Sequence, residues 1–178
     1  MYRERMETLK EWKVSKTRKP LIIRGARQVG KTWLMKEFGK LYYEKCAYIN
    51  FDDNTRMNKL FDEDFDLDRI IQGLKIESGV NIEPENTLII LDEIQETPNA
   101  LKALKYFYEN ANEYHIVAAG SLLGVAMHQG TSFPVGKVNF MDLMPLSFFE
   151  FLNALGQEHL LNLLKNNEFD MISVFNNK

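Results

Sequence analysis

The sequence predicts an α/β fold of three layers, in which helices cover both faces of a mostly parallel, five-stranded sheet. Short apolar runs that suit buried strands alternate along the chain with amphipathic stretches that suit helices. The first of these strands leads directly into a glycine-rich loop and then a helix. With 178 residues, 45% of them apolar, the chain is long enough for one domain with a packed core.

Five short apolar segments are predicted to form the strands. They cover residues 21–23, 47–51, 88–91, 116–119 and 138–141. The third segment, four aliphatic residues in a row, is the clearest strand, because unbroken apolar runs are typical of strands buried on both faces. Strands that alternate with helices imply right-handed crossovers, and therefore parallel pairing.

Six segments with apolar residues at helical spacing are predicted to be helices. They cover residues 2–13, 32–42, 67–76, 98–108, 147–155 and 158–165. Residues 52–68, with seven acids against two basic residues, are interpreted instead as a solvated acidic loop. A calcium-binding loop counted from Asp62 is excluded, since Leu67 stands where glycine is needed and Gly73 where a bidentate glutamate is needed.

Composition excludes several classes of protein. Cys46 is the only cysteine, which excludes an internal disulfide and any multi-cysteine metal site. The longest aliphatic run is far shorter than the roughly 20 residues of a membrane helix, and the N-terminus has no apolar signal segment. We therefore expect a cytoplasmic protein with no membrane partner. The first 20 residues hold seven basic and three acidic groups, a net charge of +4, interpreted as a solvated helix face rather than a nucleic-acid-binding arm.

The glycine-rich loop carries a phosphate-binding motif. Residues 25–32 read G-A-R-Q-V-G-K-T and match G-x-x-x-x-G-K-[ST] at every fixed position. Glycines let backbone N–H groups converge on phosphate oxygens, and the start of the next helix adds its positive dipole end. Lys31 is predicted to reach the β- and γ-phosphates, and the Thr32 hydroxyl to bind Mg²⁺. The predicted nucleotide-binding residues are Gly25, Ala26, Arg27, Gln28, Val29, Gly30, Lys31, Thr32 and Trp33. A glycine-containing turn beside a surface lysine is the less favoured interpretation.

Two acids, Asp92 and Glu93, follow the clearest strand. Carboxylates at the carboxyl end of a parallel strand lie at the edge where open α/β folds bind ligands. Asp92 is predicted to hold Mg²⁺, directly or through water. Glu93 is predicted to be the catalytic base that orients and polarises the attacking water, with Lys31 as the second catalytic residue. Aliphatic residues followed by two acids are common by themselves, but behind a phosphate loop they favour this functional interpretation.

Ser121 follows the fourth strand and has two interpretations. If this strand lies between the other two, its hydroxyl faces the γ-phosphate and senses whether that phosphate is present. The alternative is a serine in a Gly-Ser turn that needs no function. A hydrolase nucleophile elbow is excluded, because Ala119 and Leu123 stand where glycines are required. Residues 58–61 lack the aspartate of the guanine-reading N-K-x-D signature, so adenine is the predicted base.

Three further segments, together with the phosphate loop, carry a resemblance to a known family. They are L-D-E-I-Q at 91–95, Gly120-Ser121, and L-M-P-L-S-F-F-E-F-L at 143–152. The sequence resembles the bacterial and archaeal predicted AAA-type ATPases, P-loop NTPases whose ATPase domain precedes a C-terminal domain of unknown function. The resemblance covers roughly residues 1–155.

The resemblance implies a sheet with an added strand between the phosphate-loop strand and the strand of Asp92. It implies an N-terminal basic helix over residues 1–19, the ATPase domain over 20–155 and the start of a helical, apparently truncated C-terminal region over 156–178. The residues to which it assigns the roles given above are Lys31, Thr32, Asp92, Glu93 and Ser121.

Two departures from the family pattern bear on function. Gly136-Lys137 stands where members usually have Gly-Arg, and lysine lacks the planar, bidentate fork of arginine. Members are also typically about twice as long, so we expect the sequence to be the ATPase domain alone or a truncated product.

The positions of the arginines predict slow hydrolysis. All seven precede the strand of Asp92, whereas AAA-type enzymes usually place an arginine finger, worth about 10³–10⁵ in rate, after it. Arg27, in the phosphate loop, is a candidate substitute, although a solvent-facing position is equally plausible.

The sequence thus predicts an ATPase that drives or gates a partner or a missing C-terminal region. The alternative is a nucleotide-gated switch with little hydrolysis. A small-molecule kinase is disfavoured because it would need arginines in a late lid. Protein and nucleic-acid partners, and an oligomer, are left open.

Overall fold

The computed structural model describes residues 3–120, 134 and 136–166, and within them five strands form one sheet. The strands are β1 Leu21–Arg24, β2 Lys45–Asn50, β3 Thr87–Asp92, β4 His115–Gly120 and β5 Asn139–Asp142. Their order is β2-β3-β4-β1-β5, and every pairing is parallel. The predicted α/β class and parallel sheet are confirmed, and β4 is the added strand between β1 and β3.

The described part of the chain also contains seven α-helices and a short 3₁₀ turn. The helices are α1 Arg5–Val14, α2 Lys31–Tyr42, α3 Thr55–Glu63, α4 Leu67–Ser78, α5 Pro98–Asn110, α6 Phe148–Ala154 and α7 Glu158–Lys165. The 3₁₀ turn, Ile94–Glu96, directly follows β3. In the part of the chain described here, no helix combines the length and the hydropathy that crossing a bilayer requires.

Alternating side chains of the sheet build two hydrophobic cores, one on each face. On β1, Ile22 packs in one core and its neighbour Ile23 in the other, as the two-residue period of a strand requires. The first core includes Phe61 of α3 and Leu74 of α4, and the second includes Phe38 of α2. The three-layer prediction is therefore confirmed.

The prediction of a solvated loop over residues 52–68 is wrong, because α3 lies within it. Met57 and Phe61, four residues apart on this helix, are both buried, and the Phe61 ring lies 5.8 Å from that of Phe51. All seven acids of the segment are exposed, and they lie before α3, at its end, in the turn after it and in the first turn of α4. Because acids dominate the segment, the helical spacing of Met57 and Phe61 was not recognised in the sequence. Their burial is evident only from the packed structure.

Asn54 caps α3, and we expect Asn54→Ala to lower the free energy of unfolding by about 1 kcal/mol. Its side-chain oxygen accepts a hydrogen bond from the Met57 N–H, and its amide donates to the Asn50 carbonyl and to Glu77. Chemical denaturation would measure the loss. Asn110→Ala, at the exposed end of α5, is the matched control and should change stability by less than half as much. Equal effects of the two variants would contradict the capping role.

Most cations of the basic N-terminal segment are bonded to other groups of the chain. Five of them donate hydrogen bonds to other residues of the chain: Arg3, Lys10, Lys13, Arg18 and Lys19. The apolar side of α1 is buried in the same core as α2, through Met6, Leu9 and Trp12. The net charge of +4 therefore overstates how much positive charge this segment offers to a ligand.

Candidate functional site

The glycine-rich loop joins β1 to α2, and a side chain would be sterically unfavourable at both of its glycines. Gly30 caps α2 with a φ of 92°, a conformation that L side chains rarely adopt. A Cβ at Gly25 would overlap the carbonyl oxygen of Leu143. The first N–H groups of a helix have no carbonyl partner within it, so the start of α2 can accept an anion.

Lys31 is the first residue of α2 and is buried beneath the loop. Its ammonium donates hydrogen bonds to the carbonyl oxygens of Gly25 at 3.0 Å and Ala26 at 2.7 Å. Burial lowers the pKa of Lys31, and the carboxylates of Glu93 and Asp92 act in the opposite direction. A buried ammonium whose hydrogen-bond partners are neutral carbonyls is stabilised when an anion binds beside it.

A hydrogen bond joins the glycine-rich loop to the end of β3. The Thr32 hydroxyl donates to Oδ2 of Asp92 at 2.7 Å, although the two residues are far apart in the sequence. Asp92 is buried, and its Oδ1 accepts the backbone N–H of Glu93 at 3.2 Å. The hydroxyl and the carboxylate therefore stand side by side at the carboxyl edge of the sheet.

Tyr48, on the neighbouring strand β2, also contacts this carboxylate. Its hydroxyl donates to Oδ2 of Asp92 at 3.1 Å, and its ring lies beneath the ammonium of Lys36, 3.5 Å from the centroid. Burial, together with the charge of Asp92, raises the pKa of Tyr48 to about 12. Tyr48 therefore stays protonated at neutral pH and keeps its hydrogen bond to Asp92.

Glu93 leaves β3 in a left-handed conformation, with a φ of 53°, which is uncommon for a residue other than glycine. Its Oε2 accepts a hydrogen bond from Nε2 of Gln95 at 2.7 Å. Uncommon backbone conformations cluster at functional sites, where the surrounding structure enforces them. The carboxylate is thus directed by both its backbone and its neighbour in the 3₁₀ turn.

A cavity of about 580 Å³ lies at this edge of the sheet. The cavity is lined by residues of the glycine-rich loop, of the start of α2 and of the segments that follow β2 and β3: Arg27, Gln28, Gly30, Lys31, Thr32, Trp33, Asp52, Glu93, Gln95 and Glu96. Asp92 is buried and accepts a hydrogen bond from Thr32, one of the lining residues. The structure therefore brings most of the predicted site residues together.

Within the part of the chain that the structure describes, four predicted site residues are not among those that line the cavity: Gly25, Ala26, Val29 and Asp92. Gly25 and Ala26 contribute carbonyl oxygens to the Lys31 ammonium, and Val29 points its side chain into the core shared with α2. Ser121 lies outside the described residues, so its sensor role remains a prediction. Arg27 is exposed at the mouth of the cavity.

Sequence reasoning missed Arg3 and Glu150, which support the glycine-rich loop from below. Both are buried, with Nε of Arg3 3.3 Å from Oε1 of Glu150. The guanidinium also donates to the carbonyl oxygens of Met144 at 2.7 Å and Val29 at 3.4 Å. No local pattern could reveal this pair, because its members lie near opposite ends of the described chain. No role was predicted for Tyr48 or Gln95, although Gln95 belongs to the L-D-E-I-Q segment that carries the family resemblance.

The oxygen donors at this edge fit Mg²⁺. Hydroxyl and carboxylate oxygens are the ligands that this ion prefers, and it usually binds through one or two carboxylates together with substrate phosphates. Thr32 and Asp92 offer such a pair in direct contact. Both oxygens belong to residues whose positions are set by the sheet and by the first turn of α2.

Comparisons with known proteins agree with this architecture. The family model described as an AAA domain matches residues 17–152. A structure of the Walker-type ATPase PABY2304 of Pyrococcus abyssi is similar, with a TM-score of 0.53 and 17% sequence identity over 87% of this chain. A structure of the Aeropyrum pernix ORC1 protein in complex with DNA is similar with a TM-score of 0.50 and 15% identity over 89% of this chain. At these identities the structural likeness shows the fold.

The solved structures are longer proteins. This chain covers 58% of the Pyrococcus abyssi chain and 50% of the Aeropyrum pernix chain. None of the curated proteins matches the sequence.

Proposed function

This chain belongs to the AAA domain family, and from that membership we propose that it binds Mg-ATP in the cavity and hydrolyses it slowly by itself. The observation that carries the proposal is the hydrogen bond between Thr32 and Asp92. It joins the end of the phosphate-binding motif to the two acids after β3, with Lys31 and Glu93 lining the same cavity. Such a set of groups matches what phosphoryl transfer from a nucleoside triphosphate needs.

In the proposed complex, the triphosphate lies along the loop of residues 25–32 and the start of α2. The Lys31 ammonium exchanges its carbonyl partners for phosphate oxygens, which relieves the cost of its burial. Thr32 and Asp92 would hold the Mg²⁺, and the ion would neutralise part of the negative charge of the phosphates. Tyr48 keeps its hydrogen bond to Asp92 and fixes the orientation of that carboxylate.

Glu93 is proposed to act as the general base. As a water oxygen attacks the γ-phosphorus and the bond to the bridging oxygen of ADP breaks, the Glu93 carboxylate accepts a proton from that water. The products are ADP and inorganic phosphate. Glu93 lines the cavity together with Lys31, which supports this assignment.

Slow turnover is proposed because few arginines of the described residues can reach the phosphates. Arg27 lines the cavity, whereas Arg24 makes a two-point ion pair with Asp142 at the end of β5. Lys137, where relatives usually have arginine, pairs with Glu109 at 2.8 Å on α5. A missing arginine finger lowers turnover by about 10³–10⁵.

A nucleotide-gated switch with little hydrolysis is the second candidate function, favoured by the same shortage of arginines. In either case the nucleotide cycle is proposed to drive or gate a partner or a region beyond the ATPase domain. Phosphate release from the purified chain, measured with and without a candidate partner, separates the two functions. Sustained release without any partner favours the ATPase, and binding without release favours the switch.

Trp33 provides a direct test of nucleotide binding. Because its side chain lines the cavity next to Thr32, its fluorescence emission is expected to change when Mg-ATP binds. Trp12 is buried in the core and bonded to the Lys19 carbonyl, so it supplies a constant background. The titration compares ATP, GTP and ADP with and without Mg²⁺, and ATP with Mg²⁺ should bind tightest.

Two variants control this titration. Trp33→Phe should remove the response, and Trp12→Phe should keep it. An unchanged emission of the native chain at saturating nucleotide, supported by a calorimetric titration without heat, would rule out the proposed site.

A further inference from the structure

We infer that Gln95 is the positioning residue for Glu93: its side-chain amide holds the carboxylate in the orientation that accepts the proton. The inference rests on the proposed ATPase function and assigns a role to a residue outside the phosphate-binding motif and the two acids. Nε2 of Gln95 donates to Oε2 of Glu93 at 2.7 Å, a length typical of a hydrogen bond to a charged acceptor.

The 3₁₀ turn gives Gln95 a rigid base from which to act. Ile94, at the start of this turn, is fully buried in the core formed with α3, α4 and α5. The backbone N–H of Glu96 donates to the Glu93 carbonyl at 3.1 Å, and that of Thr97 donates to the Ile94 carbonyl at 3.1 Å. Gln95 is therefore anchored on both sides while its side chain lines the cavity.

The amide of Gln95 is held in one orientation by the charges around it. Nε2 donates to Glu93 and also to Oε1 of Glu96 at 3.2 Å. Rotation of the amide by half a turn would place its oxygen against both carboxylates, which is electrostatically unfavourable. The donor therefore stays directed at Glu93.

This orientation carries a cost, which indicates that it serves the site. Oε1 of Gln95 is shielded from solvent and makes no hydrogen bond among the residues described here. A buried acceptor without a partner lowers the stability of the folded chain. In native proteins such groups call for a specific explanation, and a role at a catalytic centre is one of them.

A glutamate needs this kind of support when it acts as a base. The left-handed backbone at Glu93 sets the direction in which its side chain leaves β3, but three side-chain torsions remain. Catalytic groups must be held within about 0.5 Å of their productive position by neighbouring hydrogen bonds. The amide of Gln95 fixes one carboxylate oxygen and thereby reduces the number of orientations that Glu93 can adopt.

The test replaces Gln95 with Met, which keeps the length of the side chain and removes the donor. Single-turnover phosphate release with enzyme in excess over ATP should slow by about tenfold, a fraction of what general-base catalysis contributes. The Kd of ATP, measured by Trp33 emission, should stay within about twofold, because Gln95 is proposed to act on Glu93 and not on the phosphates. Gln72→Met, on the exposed side of α4, is the control and should leave both values unchanged.

A double-mutant cycle separates positioning from a general structural role. In a Glu93→Gln background the second change, Gln95→Met, should cause no further loss, because the base it positions is already absent. An equal tenfold loss in both backgrounds, or a Gln95→Met rate equal to or above the native rate, would overturn the inference. If circular dichroism shows that the Met variant does not fold, Gln95→Ser is the second variant. Its side chain is shorter, so its donor does not extend as far towards Glu93.

The two proposals fail in distinguishable ways. A native chain that binds no ATP or releases no phosphate refutes the proposed ATPase, and the inference about Gln95 with it. A native chain that hydrolyses ATP at a rate unaffected by Gln95→Met and Gln95→Ser refutes the inference alone.

Discussion

Replacing Glu93 with Gln is expected to lower the rate of ATP hydrolysis by about 10²–10⁴ while leaving the Kd of Mg-ATP nearly unchanged. The amide is nearly the same size as the carboxylate and still lines the cavity, but it cannot accept a proton at neutral pH. The loss therefore falls on the chemical step. Single-turnover phosphate release measures it, and Trp33 emission measures binding in the same samples.

Glu113→Gln is the control for this prediction. Glu113 lies exposed just before β4, outside the residues that line the cavity, so the same chemical change there should leave the hydrolysis rate unaltered. A Glu93→Gln variant that keeps the native rate would show that another group accepts the proton, and the assignment of the general base would be wrong.

Replacing Lys31 with Ala is expected to weaken the binding of Mg-ATP by about 100-fold, equivalent to about 3 kcal/mol. Hydrogen bonds to charged groups contribute about 1.5–3 kcal/mol each, and the Lys31 ammonium has several donors that can face phosphate oxygens. Without nucleotide, the same ammonium is buried against two neutral carbonyl oxygens. We therefore expect that the unfolding temperature of the nucleotide-free variant is not lowered, since a partly desolvated charge is removed.

A titration with Trp33 emission and a thermal unfolding scan measure both effects of Lys31→Ala. Lys40→Ala, in the last turn of the same helix and exposed to solvent, should match the native chain in nucleotide binding. Unchanged ATP binding in Lys31→Ala would place the triphosphate elsewhere. Loss of the fold in the absence of nucleotide would show instead that Lys31 has a structural role.

Much of the candidate site was predictable because its signals are local in the sequence. The fixed residues of the motif at 25–32, and the two acids after an aliphatic strand, each need only a few consecutive residues to be recognised. The structure brings Thr32 into contact with Asp92, as the roles predicted for them require. Their roles in holding Mg²⁺ stay predictions.

The helix α3 shows where local signals mislead. The acids around Thr55–Glu63 point to a solvated loop when they are counted, yet Met57 and Phe61 share one face of a helix and are buried. Burial of that face depends on packing against α5 and the sheet, so the deciding contacts lie far away in the sequence. Composition averaged over a segment could not show them.

The sequence by itself determined the α/β class, the positions of the five strands, the phosphate-binding motif and the acids after β3, since each of these depends on residues that are neighbours in the chain. The tertiary structure decided which side chains control those acids. Tyr48 binds Asp92 from an adjacent strand, and Arg3 supports the loop together with Glu150. Even Gln95, only two residues from Glu93, reaches it because a 3₁₀ turn anchored in the core folds the chain back. Hydrogen bonds of this kind depend on distances and angles of a few ångströms and degrees, which are fixed only when strands and helices pack against one another.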